Sequence, residues 1–168
     1  MPAPAPPPIP PVRGIFTNMD GGVGLTVTIN PTEMSLSRKA SWSEGRPTGQ
    51  QFPTLQFQGG SADELELELL LDTTEETHSV MGPTQTLYNW TVPITASGRP
   101  PVLLFTWGTF TFQGVVEKVD IDYQRFDGMG APKRATVKLQ MLGKAFVKGG
   151  TPIQFFEQAA PSPARGSV

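Results

Sequence analysis

The stretch from Arg99 to Met141 reads RPPVLLFTWGTFTFQGVVEKVDIDYQRFDGMGAPKRATVKLQM, and its period-two patterning constrains the fold more than any other segment. Phe110 and Phe112 occupy even positions, whereas Val119, Ile121 and Tyr123 occupy odd ones. Side chains alternate between the two faces of a strand, so the inward parity must flip near Gly114-Val115-Val116. One extra residue, a β-bulge or sharp bend, resets that phase. Phe126 to Pro132 then turns the chain with Asp127-Gly128 at the tip. On the return strand Ala135, Val137, Leu139 and Met141 alternate with Arg134, Thr136, Lys138 and Gln140. Two strands of ten or more residues make a hairpin about 33 Å long, beyond the usual strand. Such a ribbon extends past a single small core and finds partners in an assembly.

A second alternation supports a mainly β chain. Leu65, Leu67, Leu69 and Leu71 would share one strand face, with Glu64, Glu66 and Glu68 on the other. Leu and Glu favour helices, but a helix would scatter these leucines around its circumference, so the period decides for strand. The glutamates are spaced along a face instead of converging, which makes them a solvated face or a charged stripe on an assembly surface. Val23 to Ile29 predicts a strand with Val23, Leu25, Val27 and Ile29 on one side, ended by Asn30-Pro31-Thr32-Glu33. Met34 to Ser43 predicts the next strand, anchored by Trp42. Glu44 to Gln51 reads as loop, and Leu55 and Phe57 open a strand closed by Gly59-Gly60. Thr73 to His78 could open a short helix, while Gly82-Pro83, Pro93 and Gly98 should break any long element. Leu87, Tyr88, Trp90, Val92 and Ile94 suggest a partly buried connector, with strands resuming at Val102.

Composition bears on the ends and on function. Residues 1–12 form a Pro-rich arm expected to be extended polyproline, residues 13–157 the folded domain, and residues 158–168 a second flexible tail. The first residues lack a positive start and carry helix-breaking prolines, so no secretory signal is expected. The 168 residues include 18 Gly, 18 Pro and only 17% charged residues, which favours strands and turns over a helical bundle. A formal net charge of -2 supplies no positive field for nucleic acid or an anionic membrane. No apolar run is long enough for a membrane-spanning helix. The absence of cysteine removes thiol nucleophiles and thiolate zinc sites, and fits synthesis in the cytoplasm.

Reactive constellations are not evident. His78 has Glu75 and Glu76 beside it but neither a second His nor a Cys, so a metal or base role is disfavoured. Gly21-Gly22-Val23-Gly24 lacks the Lys-Ser/Thr pair and following helix of a phosphate loop. Lys133, Arg134, Lys138, Lys144 and Lys148 read as an outward strand face, and Trp107 with the phenylalanines as core or interface anchors. No catalytic residue, cofactor or metal is expected, and the chain is not read as an enzyme.

Four blocks carry a family resemblance. Ile29-Asn30-Pro31-Thr32-Glu33-Met34-Ser35-Leu36-Ser37 followed by Trp42 resembles the opening of contractile injection system tube proteins. Leu55-Gln56-Phe57-Gln58-Gly59-Gly60 precedes the leucine strand ending Leu71-Asp72-Thr73. Arg99-Pro100-Pro101 leads into Phe105-Thr106-Trp107-Gly108-Thr109-Phe110 and Phe112-Gln113-Gly114-Val115. Asp127-Gly128 precedes Pro132-Lys133-Arg134-Ala135-Thr136-Val137. Together they span roughly residues 23–142.

The resemblance implies a tail-tube-like β-sandwich or barrel with long hairpin strands and one short helix. It implies a structural ring subunit, a tube initiator or hub adaptor in a released phage-tail-like particle. Six copies would form a ring contacting the inner tube protein, the trimeric spike hub and the baseplate wedge proteins, with no nucleic acid and no membrane insertion. Structural or interface roles fall on Asn30, Pro31, Glu33, Trp42, Trp107, Gly108, Phe110, Phe112, Gly114, Asp127, Gly128 and Arg134. Many members carry a C-terminal LysM module with a Gly-Asp-Thr-Leu pattern. None follows Met141 in these residues, which directs the expectation to the ring itself. The alternatives are an inner tube protein, or a monomeric β-sandwich module that binds through its Pro-rich arm or aromatic connector.

Overall fold

A computed structural model describes residues 12–26, 31–46, 48–49 and 52–147. Among these residues the strands are β1 (Ile15–Asn18), β2 (Leu25–Thr26), β3 (Glu33–Ser37), β4 (Ala40–Gly45), β5 (Thr54–Gly60), β6 (Asp63–Asp72), β7 (Val102–Trp107), β8 (Phe110–Phe126) and β9 (Pro132–Val147), with one helix, α1 (Met81–Asn89), before β7. Seven strands form one antiparallel sheet in the order β2-β1-β7-β8-β9-β6-β3, and β4 with β5 form a separate two-stranded ribbon. The expectation of a mainly β sandwich or barrel with long hairpin strands and one short helix holds, the sheet being a curled antiparallel half-barrel.

Connectivity explains the curl of the sheet. β2 and β3 are consecutive in sequence yet stand at opposite ends of the strand order. Six flat inter-strand gaps span about 29 Å. The seven steps from Thr26 to Glu33 reach at most about 25 Å even when fully extended. A flat sheet is therefore excluded, and the edges must approach one another. The core agrees, because Phe16 of β1 and Leu65 of β6 belong to one buried cluster with Phe105, Phe112 and Leu139.

The leucine strand is β6, and Leu65, Leu67, Leu69 and Leu71 are all buried. They lie in register with Met141, Leu139, Val137 and Ala135 of β9. Period two thus wins over helix propensity because β9 supplies an apolar face of the same spacing.

The β8–β9 hairpin is longer than expected, with strands of 17 and 16 residues, roughly 55 Å end to end. Its register shifts between Val116 and Lys118. Glu117 is the extra residue, so the parity flip is a β-bulge just beyond Val116. Phe112 and Val116 are buried before it, and Val119 and Ile121 pack against the core after it.

Several boundaries need correction. Of the predicted strand Val23–Ile29 only Leu25–Thr26 is paired, and residues 27–30 lie outside the described residues. Met34–Ser43 is not one strand. Arg38-Lys39 separates β3 from β4, which belong to different sheets. The Arg38 guanidinium is drawn to the buried Asp63 carboxylate, and the Ser61 amide donates to the Lys39 carbonyl at 2.9 Å, so the chain leaves the sheet there. The loop expected from Glu44 begins after Gly45.

The helix lies at Met81–Asn89, not Thr73–His78. Gly82 and Pro83 do not break it, because they occupy its first turn, where backbone amides have no intrahelical acceptor. Its start is pinned to the hairpin, where Ser79 Oγ donates to the Pro132 carbonyl at 2.7 Å and Thr84 Oγ1 meets Tyr123 Oη at 2.9 Å. Its far end places Trp90 against Phe16, ring centroids 5.3 Å apart. Leu87 and Trp90 of the expected connector are buried, whereas Tyr88 and Val92 are exposed.

Candidate assembly surface

The predicted interface residues do not form one patch; they lie at turns, in the core and on the separate β4–β5 ribbon. Trp107, Gly108 and Phe110 sit at the β7–β8 turn, where Trp107 pairs with Phe110 and Gly108 takes φ +61°. The Trp107 indole donates to the Val12 carbonyl at 3.1 Å, and Phe110 meets Phe105 edge-on at 6.3 Å. Phe112 is fully buried.

Gly114 lies directly opposite Gly143. A Cβ on Gly114 would stand 2.2 Å from the Leu142 carbonyl oxygen, and one on Gly143 would stand 2.0 Å from that of Gln113. Two bare backbones touch here, which only paired glycines allow. Gly143 was not singled out from the sequence. A lone glycine in a strand pattern is its only signal.

At the other end of the hairpin, the Asp127 carboxylate accepts from the Met129 and Ala131 amides, both at 2.9 Å. These backbone donors, Ala131 first, hold its pKa below the ordinary value. The residue that needs conformational freedom is Gly130, with φ +86°, not Gly128. Arg134 donates to Asp72 at 2.5 and 2.8 Å across β9–β6. The Thr74 hydroxyl and amide, then Arg134, lower the Asp72 pKa to about 2.

Among the opening-block residues, Asn30 lies outside the described residues, and Pro31 is buried. Glu33 is exposed and starts a charged row across the outer face, in register with Glu68, Lys138 and Asp120 of β6, β9 and β8. The next row is Ser35, Glu66, Gln140 and Lys118. A half-open cleft of about 320 Å³ runs between these rows. Lys118 contacts Asp120 at 2.7 Å, which raises the lysine pKa. Four carboxylates, Glu33, Glu66, Glu68 and Asp120, thus share this face with two lysines, Lys118 and Lys138, spaced in rows along the strands.

Two other ion pairs stitch elements together. Asp20 accepts from Arg99 at 3.0 and 3.3 Å and from the Val102 amide at 2.8 Å, joining the end of β1 to the start of β7. Its pKa falls, chiefly through Arg99. Burial pushes the Asp63 carboxyl up, but Arg38 and the Ala145 amide outweigh it and hold it below the ordinary value. His78 is mostly exposed, 2.5 Å from Glu76. Among the described residues no group of three or more His, Asp or Glu is placed to hold a metal. No helix among them is long and apolar enough to cross a membrane.

Trp42 is the largest surprise. Expected as the anchor of an in-sheet strand, it stands 57% exposed on the β4–β5 ribbon. Its only ring contact among the described residues is edge-on with Phe57, at 5.3 Å. The strand pattern of Leu55 and Phe57 was legible, but its partner was not.

The fold is thus a curled antiparallel half-barrel with an overlong hairpin. A chain of the cryo-EM structure of the anti-feeding prophage (AFP) baseplate, 6-fold symmetrised, shares this fold with a TM-score of 0.51 and 12% sequence identity. That likeness covers 86% of this chain and 97% of the other. A chain from the tail of an empty GTA particle, computed with helical refinement in C6 symmetry, gives a TM-score of 0.47 at 12% identity, covering 83% and 96%. Residues 15–148 match the family model of the contractile injection system tube protein, and the chain belongs to that family. None of the curated proteins matches it.

Proposed function

We propose that this protein is a ring subunit at the base of the inner tube of an extracellular contractile injection system, a tube initiator or adaptor. The family membership over residues 15–148 carries the reading. The baseplate likeness, from a 6-fold symmetrised particle, favours six copies per ring. The partners proposed are further copies of this chain, the inner tube protein above, the trimeric spike hub below and the baseplate wedge proteins. Synthesis in the bacterial cytoplasm followed by incorporation into a released particle is part of the same reading.

The mechanism is mechanical. A sheet with two open edges is a liability in a monomer. Rotationally repeated head-to-tail contacts cover such edges and close a ring. The long β8–β9 ribbon, bent once at Glu117 and clamped at Gly114–Gly143, is a stiff strut that sets the ring's geometry. Structural roles for Pro31, Glu33, Trp42, Trp107, Gly108, Phe110, Phe112, Gly114, Asp127, Gly128 and Arg134 belong to this proposal, as does the role of Asn30.

Copy number separates the initiator from the inner tube protein. Quantitative mass spectrometry of purified particles should return about six copies per particle. A copy number rising with tube length would make the chain the tube protein, and its absence from particles would overturn both readings.

A further inference from the structure

We infer that the apolar face of the β4–β5 ribbon docks on the β1–β2 edge of a second copy of this chain, and so forms the contact between ring neighbours. This inference rests on the ring reading above.

Among the described residues the ribbon pairs only with itself. Trp42 faces Phe57 across it, and Leu55, opposite Glu44, lies two residues further along the same face. The other face carries Ser43, Gln56 and Gln58, with Gln58 donating to Ser43 at 2.7 Å. This is the patterning of a strand pair laid on a core. Yet Trp42, Leu55 and Phe57 are 57%, 60% and 60% exposed. An isolated two-stranded hairpin is marginal in water, and a contiguous apolar patch on a soluble chain marks an interface.

The occupant follows from where the patches lie. The ribbon leaves the sheet from β3, one end of the strand order, through Arg38-Lys39. At the opposite end, around β1 and β2, Ile15, Met19 and Val23 form a second exposed apolar set. The curl brings these ends toward each other, but the two sets do not cover one another within the subunit, since both remain exposed. The ribbon, carried just beyond one end of the strand order, and the β1–β2 edge at the other are two different apolar surfaces, and joining two different surfaces of the same chain is what a heterologous, head-to-tail contact does. A neighbour presenting its β1–β2 edge supplies what the ribbon lacks, and each copy gives one contact and receives one.

The test uses the full chain, whose lack of cysteine permits clean single-cysteine labelling. Light scattering over a concentration series is compared for the natural chain and the triple variant Trp42→Ser, Leu55→Ser, Phe57→Ser. Separately purified Leu55→Cys and Ile15→Cys chains are then mixed under mild oxidation. The natural chain should show a multiple of 18.1 kDa. The variant should associate at least roughly 30-fold more weakly, with an unchanged melting temperature. The cysteine mixture should give a linked dimer that neither chain gives alone.

Equal masses for natural chain and variant would overturn the ribbon contact and leave the ring standing. So would linkage of Leu55→Cys chains to one another only, which would place two ribbons face to face. A variant that keeps its self-association but no longer co-purifies with the spike hub would assign the ribbon to that partner instead. A natural chain of single-subunit mass at every concentration would overturn the ring reading and this inference together.

Discussion

Replacing Gly114 by alanine should open the sheet at its most crowded point. The added methyl would lie 2.2 Å from the Leu142 carbonyl oxygen, 2.8 Å from the Leu142 carbonyl carbon and 2.9 Å from the Gly143 Cα. All three are backbone atoms on the paired strand, so no side chain can swing aside. Ordinary contact begins near 3.4 Å, so β8 and β9 must part by about 1.2 Å, enough to lengthen ladder hydrogen bonds beyond their useful range. Overpacking of this kind costs about 1–3 kcal/mol, and the weakened ladder adds to it. For a chain of this size, a total of about 3 kcal/mol lowers the melting temperature by roughly 6–12 °C. Gly143→Ala should do the same, from the 2.0 Å approach to the Gln113 carbonyl oxygen. Gly128→Ala is the control, since nothing lies within 4 Å of its added methyl and its φ is ordinary, and it should leave the midpoint unchanged or slightly raised. Differential scanning calorimetry of the three variants decides. If Gly114→Ala melts with Gly128→Ala, the backbone contact is not what holds the hairpin's bend.

The other predictions concern the core and the carboxylates. Leu69→Ala should cost about 2–5 kcal/mol in urea unfolding, and Glu66→Ala less than about 0.5 kcal/mol; equal effects would contradict the strand register of β6. Arg38→Ala strips the buried Asp63 of its guanidinium and should lower the thermal midpoint at pH 7. Asp72, Asp20, Asp63 and Asp127 all titrate below their ordinary value. A lowered folded-state pKa favours the fold while the carboxylate is charged. That contribution is complete above about pH 4 and drains away as pH falls toward about 2, the Asp72 value. Thermal midpoints should therefore be flat from pH 7 to 5 and fall steeply below 4, with Asp72→Asn showing a shallower fall.

The sequence made the sheet legible wherever two apolar strands face each other. Leu65 to Leu71 and Ala135 to Met141 announce one another by spacing, and the parity change between Phe112 and Val119 located the bulge to within a few residues. Partners were less legible than strands. Trp42, Leu55 and Phe57 alternate like core residues because they form an apolar face. Periodicity does not say whose surface covers that face. The helix was misplaced because Gly82-Pro83 was weighed as a breaker, although a first turn has no amide bonds to lose. β1 escaped notice because four residues carry too little pattern, and only Phe16 among them is buried. Gly143 and Gly130 were passed over because a close approach or a positive φ is a property of two chain segments in space. The residues of the family blocks lie spread along the fold, among them the β7–β8 turn, the Gly114–Gly143 approach and the capped hairpin tip, a dispersal that the motif order alone did not reveal.

The most direct test is cryo-electron microscopy of the intact particle from a cell that makes this protein. A ring of six copies between spike hub and inner tube, with each β4–β5 ribbon seated on its neighbour's β1–β2 edge, is the predicted result. Particles complete in tube and baseplate that contain no density for the 17- and 16-residue hairpin strands would contradict it.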